Sequence, residues 1–68
     1  MNETVSHQDI DAALNQASAT GRFVVAKVGG LRSIVGTVDA NNSRWFELYN
    51  SGLVTMVFKD SVTEIRVH

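Results

Sequence analysis

The chain has 68 residues, a net charge of −1, two histidines and no cysteine. This length makes one small domain over residues 1–68, and the lack of cysteine excludes a disulfide framework or a thiolate metal site. We expect no metal and no cofactor, because His7 and His68 lie at opposite ends of the chain without ligand spacing. A core this small often needs oligomerisation for its stability.

No apolar run approaches the roughly 20 residues of a membrane span, and no basic region followed by an apolar stretch opens the chain. We therefore expect a cytoplasmic protein that has no membrane partner. A pI of about 6.0 argues against a strongly basic, non-specific nucleic-acid binder. A locally positive site stays open, because rotational symmetry can place copies of one lysine around an axis.

The first predicted element is a helix over about residues 6–19. Ser6 is a favoured N-cap, and Asp9 completes a variant of the capping box. Gly21 is a favoured C-terminal stop. One narrow apolar stripe has helical spacing and consists of Ile10, Ala13, Leu14 and Ala17. Because the stripe is narrow, we expect the helix to lie on the rim of a sheet.

Five short strands are predicted after the helix, at about residues 22–28, 31–38, 44–50, 53–59 and 62–67. Turn residues separate them, as in Gly29-Gly30 and Asn50-Ser51-Gly52. Gly36 marks a bulge or sharp bend, and alternation assigns Phe46 and Leu48 to the core. The predicted fold is mainly β, with an N-terminal α-helix before a five-stranded, strongly bent antiparallel barrel.

The segment Lys59-Asp60-Ser61 forms a break between the last two predicted strands. It is too short for an ordinary hairpin between long strands and too polar for one continuous buried strand. A sharp corner at this point turns the fifth strand away from the fourth, whose edge is then left open. The fifth strand of a neighbouring copy can pair with that edge, and such head-to-tail pairing closes into a ring when the rotation fits.

This order of elements resembles the Sm-like (Lsm) family, most closely its bacterial branch of Hfq RNA chaperones. The helix opens with Ser6-His7-Gln8-Asp9, which is similar to the Ser-x-Gln-Asp of Hfq. The Gly-Gly turn and Gly36 resemble the first Sm motif, and the segment from Met56 to Val62 is similar to the Tyr-Lys-His signature. The resemblance implies an Sm-like (SH3-type) barrel in a homo-oligomeric ring of roughly five to seven subunits.

The resemblance also implies binding of short single-stranded RNA, U-rich or A/U-rich, by an RNA chaperone or regulator. The implied RNA contacts are Gln8, Asn42, Arg44, Trp45, Lys59 and Asp60. Lys59 would contact phosphate or a uracil edge, and a base would stack on Arg44 or Trp45. Two departures oppose this activity, because Asp60 replaces the signature histidine and Ala26 replaces the tyrosine of the adenine-binding face.

Other roles stay open for the same residues. Lys59 can be a solvated lysine that blunts a strand edge, and Asp60 can cap its turn or pair with Lys59 or Arg66. Trp45 and Tyr49 can cover a subunit interface.

The alternative function is a ring-forming protein-interaction or scaffold module with weak or no RNA binding, and a third is a monomeric SH3-like peptide binder. We expect no enzyme, because the sequence has no serine, histidine and acid in a nucleophile arrangement and no paired carboxylate spacing.

Overall fold

The computed structural model describes residues 5–29 and 32–68. In this part of the chain, a helix precedes five strands, and a 3₁₀ turn joins the last two. The bounds are α1 His7–Thr20, β1 Val24–Val28, β2 Arg32–Asn41, β3 Trp45–Asn50, β4 Leu53–Phe58, the 3₁₀ turn Lys59–Ser61 and β5 Val62–Val67. No helix within the described ranges is long and apolar enough to cross a membrane.

The strand bounds differ from the predicted ones in four places, one of which is the start of β3 at Trp45 rather than at residue 44. Strand β2 continues to Asn41, although its predicted end is residue 38. Strand β1 begins at Val24 rather than at residue 22, and Lys59 belongs to the 3₁₀ turn rather than to β4. Gly30 of the predicted turn and the predicted strand start at Leu31 lie outside the described residues.

Helix α1 begins and ends at its predicted capping residues. The Ser6 hydroxyl accepts a hydrogen bond from the Asp9 N–H at 3.2 Å, which satisfies one of the free donors of the first turn. Gly21 has a φ of 67°, a left-handed conformation that glycine adopts without strain, and its N–H donates to the Ala17 carbonyl. The predicted N-cap Ser6 and C-terminal stop Gly21 are therefore confirmed.

The apolar stripe of α1 lies in the core of the domain. Ile10, Leu14 and Ala17 are at most 1% exposed. They pack with buried strand residues, which are Val24, Ala26, Phe46, Leu48, Val57 and Val62. The expectation that a helix with so narrow a stripe stays outside the centre of the core is wrong, because in so small a domain even a narrow stripe makes up a large share of the core.

The sheet is antiparallel with the order β4-β3-β2-β1-β5. Strand β5 pairs with β1, and β4 pairs with β3, so the two strands that follow one another in sequence form opposite edges of the sheet. The 3₁₀ turn Lys59–Ser61 carries the chain between these edges. The predicted fold class and the corner that turns the fifth strand from the fourth are confirmed.

Gly36 lies where β2 changes its partner. Up to Gly36, β2 pairs with β1, and from Thr37 onward it pairs with β3. A Cβ atom on Gly36 would lie 2.6 Å from the Tyr49 carbonyl oxygen, so only glycine allows the backbones this close. Gly36 therefore marks the point where β2 passes from β1 to β3, and the irregularity in the β2–β3 register lies between Val38 and Ala40.

Candidate nucleic-acid interface

The ammonium group of Lys59 lies inside the domain, where its side chain is only 2% exposed. Its Nζ donates to Asp11 Oδ1 at 2.7 Å and to the main-chain carbonyl oxygen of Asn42. The Lys59 backbone N–H donates to the Arg44 carbonyl at 2.9 Å. Lys59 therefore ties the 3₁₀ turn both to α1 and to the turn that precedes β3.

Asp11 is the counter-charge of Lys59 and lies at the surface, with 45% of its side chain exposed. The hydrogen bond from Lys59 lowers the pKa of the Asp11 carboxyl below its ordinary value, and partial desolvation opposes this shift. The side-chain amide of Asn41 donates to the same oxygen at 3.4 Å and also lowers this pKa. Asp11 is thus ionised at neutral pH and neutralises the lysine.

A second pair joins the same two elements nearer to solvent. His7 Nε2 lies 2.6 Å from Asp60 Oδ1, and Asp60 is 89% exposed. Because an ionised carboxylate only accepts hydrogen bonds, Nε2 carries the proton of this contact. His7 and Asp11 are one helical turn apart on α1, and they pair with the consecutive residues Asp60 and Lys59. We call these two pairs, His7–Asp60 and Asp11–Lys59, the clamp.

The alternative that Asp60 pairs with Lys59 or Arg66 is therefore wrong within one subunit. Lys59 pairs with Asp11, and the guanidinium of Arg66 lies 3.0 Å from a carboxylate oxygen of Glu64. The sequence had no signal for the clamp, because 48 residues separate Asp11 from Lys59 and 53 separate His7 from Asp60.

The other predicted contact residues lie around the same corner. The Asn42 N–H donates to the Trp45 carbonyl at 2.8 Å, and Arg44 and Gln8 are exposed. Trp45 is half-buried and lies opposite Phe58 in the β3–β4 ladder. Main-chain contacts thus place Asn42, Arg44, Trp45 and Lys59 in one region, whereas Gln8 lies in the first turn of α1, next to His7. Their contacts with RNA stay predictions.

Strand β4 carries an apolar surface on an edge of the sheet. Its exposed apolar side chains are between 50% and 72% accessible and are Leu53, Val54, Met56 and Phe58. Tyr49 lies opposite Val54 on β3 and is exposed as well. This is a large apolar surface for so small a domain, and surfaces of this kind commonly mark an interface.

Within residues 5–29 and 32–68, no group of three His, Cys, Asp or Glu side chains is placed to hold a metal ion. An open groove of about 370 Å³ lies between β2 and the β3–β4 hairpin, and Arg32, Val35 and Asn50 are among its lining residues. It contains none of the six predicted contact residues.

No family model and no curated protein matches the sequence. Among solved structures, the fold matches a 1.55 Å crystal structure of the pleiotropic translational regulator Hfq, with a TM-score of 0.75. The match covers 96% of this chain and 100% of that chain at 17% sequence identity. The expected likeness to Hfq is confirmed at the level of the fold, which is Sm-like.

Proposed function

We propose that this chain assembles head to tail into a closed homo-oligomeric ring of roughly five to seven subunits. The ring would bind short single-stranded RNA, U-rich or A/U-rich, and act in the cytoplasm as an RNA chaperone or regulator without catalysis. The observation that carries the proposal is the pair of strand edges, because β4 and β5 each pair with a single strand of the described sheet.

A ring would supply hydrogen-bond partners to both of these open strand edges. An open edge presents unpaired N–H and C=O groups, and β4 adds exposed apolar side chains such as Met56 and Phe58. Strand β5 of a second copy offers the complementary edge, and the pairing uses two different surfaces, as a closed ring requires. Ring closure would cover every β4 and every β5 edge at once.

The RNA-binding part of the proposal is supported by the Sm-like fold shared with a translational regulator and by the groups at the corner. Arg44 is exposed there and Trp45 is half-buried, and Gln8 is exposed in the first turn of α1. A base stacked on an aromatic ring or a guanidinium plane contributes roughly 1–3 kcal/mol. Because Asp11 neutralises Lys59 and Asp60 adds a negative charge, we expect modest affinity with clear salt dependence.

The test begins with the mass of the purified protein by light scattering and its nucleic-acid absorbance. Oligo-U affinity is then measured against salt concentration for the wild type and for Arg44→Ala, which should bind more weakly with a flatter slope. Arg22→Ala is the matched control, because Arg22 is exposed and precedes β1 at the end that pairs with Val67, away from the corner. A ring without salt-dependent RNA binding contradicts the proposal.

The second candidate is a ring-shaped protein-interaction or scaffold module, and the internal neutralisation of Lys59 favours it. It predicts a ring that binds no oligo-U, in the wild type and in Asp60→Asn alike. A third candidate, a monomeric SH3-like peptide binder, predicts a particle of 7.4 kDa. The mass measurement separates the third candidate from the first two, and the binding curve separates the first from the second.

A further inference from the structure

Among the residues that the structure describes, Lys59 is the charged residue that is buried. Replacement of a buried ion pair by apolar residues of similar size is often neutral or stabilising, so stability alone is a weak reason for such a pair. A functional role therefore accounts for the Lys59–Asp11 pair better than stability does. The pair lies beside the exposed residues Arg44 and Asp60, which belong to the candidate RNA-binding corner.

The geometry of the pair allows the Lys59 ammonium to move from Asp11 to solvent. The Asp11 carboxylate is 45% exposed, so the ammonium lies just beneath the surface, whereas the lysine stem is enclosed. When Lys59 departs, the Asn41 amide and water remain as partners of the carboxylate. A lysine stem is flexible enough to carry its ammonium to solvent while its methylene groups stay packed.

We propose that Asp11 restrains RNA binding at the corner by holding the Lys59 ammonium inside the domain. The restraint presupposes the proposed RNA-binding function and deepens it, because Asp11 then sets how much positive charge each subunit offers to a phosphate. RNA competes with Asp11 for the same ammonium, and the ring repeats this competition once per subunit.

The decisive variant is Asp11→Asn, which keeps the size of the side chain and removes its charge. The Lys59 ammonium then lacks a counter-charge and is driven towards solvent. We expect oligo-U affinity at low salt to rise about three- to tenfold. The slope of log affinity against log salt should steepen by up to about 0.7 for each lysine that reaches a phosphate.

Two further variants separate release of the lysine from loss of a negative charge. Asp9→Asn removes an exposed carboxylate from the same end of α1 and leaves the Lys59–Asp11 pair intact, so its salt slope should match the wild type. The double variant Asp11→Asn/Lys59→Met lacks the lysine that would be released, so its slope should also return to the wild-type value. A gain that Asp9→Asn reproduces, or that survives in the double variant, overturns the inference.

A measurement on the wild-type ring covers the case in which Asp11→Asn does not fold. The titration of the Asp11 carboxyl is followed by ¹³C NMR with and without oligo-U. Departure of Lys59 should raise the pKa of Asp11 towards its ordinary value in the complex, and an unchanged titration overturns the inference.

The RNA-binding curves also separate this inference from the proposed function. If the wild type binds RNA and Asp11→Asn binds no better, only the restraint by Asp11 is refuted. If Asp11→Asn alone binds RNA, the hold of Asp11 on Lys59 is supported, whereas RNA binding by the wild-type ring, and with it the proposed function, is refuted. If neither protein binds RNA, both the restraint and the proposed function fail.

Discussion

Lys59 supports the fold through its stem as well as through its charge. Lys59→Ala removes the enclosed stem and leaves a cavity, and we expect it to lower the free energy of unfolding by about 2–5 kcal/mol. Lys59→Met keeps the stem, and the exposed side of Asp11 can be hydrated, so about 1–3 kcal/mol is expected for the lost hydrogen bonds.

Urea denaturation followed by the fluorescence of Trp45 measures both values. It needs matched protein concentrations, because assembly shifts apparent stability. Equal losses in the two variants would show that the stem contributes little.

The Asp11 carboxyl makes the free energy of unfolding depend on pH in the acid range. Its folded pKa is lowered, so its contribution is fully present above the unfolded value of about 4 and is lost as the pH falls through the folded value. The wild type should therefore lose this contribution only below about pH 4. Between pH 5 and pH 2, the melting temperature of Asp11→Asn should fall less steeply than that of the wild type. An equally steep fall in both proteins would contradict the prediction.

Single residues were predictable where their role is local. The capping roles of Ser6 and Gly21 depend on neighbours in the sequence, and alternation was enough to place Phe46 in the core. The burial of Lys59 was not predictable, because its carboxylate partner lies 48 residues away and comes within reach only after the helix docks on the sheet. A lysine at a strand end has otherwise no reason to be buried.

At the scale of the element, the close approach of β2 to β3 depends on Gly36. Gly36→Ala places a Cβ atom 2.6 Å from the Tyr49 carbonyl oxygen, which requires one backbone to move. We expect a loss of about 1–3 kcal/mol, as for other overpacked sites. Ser33→Ala on the same strand is the control and should change stability by less than about 0.5 kcal/mol, because Ser33 is exposed. Thermal denaturation of both variants compares them, and equal shifts would refute the close-approach explanation.

The length of β2 shows where element prediction from sequence fails. Asp39, Ala40 and Asn41 belong to a cluster of turn-forming residues, yet they continue the strand. Cross-strand pairing of Ala40 with Glu47 and of Asn41 with Phe46 supplies hydrogen bonds that outweigh their local preference. Local preference predicted the kind of each element correctly, whereas tertiary pairing decided where this strand ends.

At the scale of the whole molecule, the two edge strands and the clamp meet at one turn. The 3₁₀ turn Lys59–Ser61 separates β4 from β5 and is held to α1 by the Lys59–Asp11 and His7–Asp60 pairs. The direction of β5 relative to β4 sets the rotation between neighbouring copies in a head-to-tail assembly. In the proposed ring, the clamp would therefore help to set this rotation as well as the charge of the corner.

The proposed ring depends on the apolar edge surface of β4, and Met56→Lys tests it directly. Within one subunit, the new ammonium lies opposite Glu47 in the β3–β4 ladder, so the monomer should still fold. In the ring, the same charge would be buried at every interface, at a cost of several kcal/mol each. We expect light scattering to show particles of 7.4 kDa instead of rings. Val35→Lys is the control, because Val35 is exposed on β2, an inner strand of the sheet, where it lies opposite Val25 of β1, and its ring should persist. Rings of unchanged mass in Met56→Lys, or equal dissociation in both variants, would exclude assembly through β4.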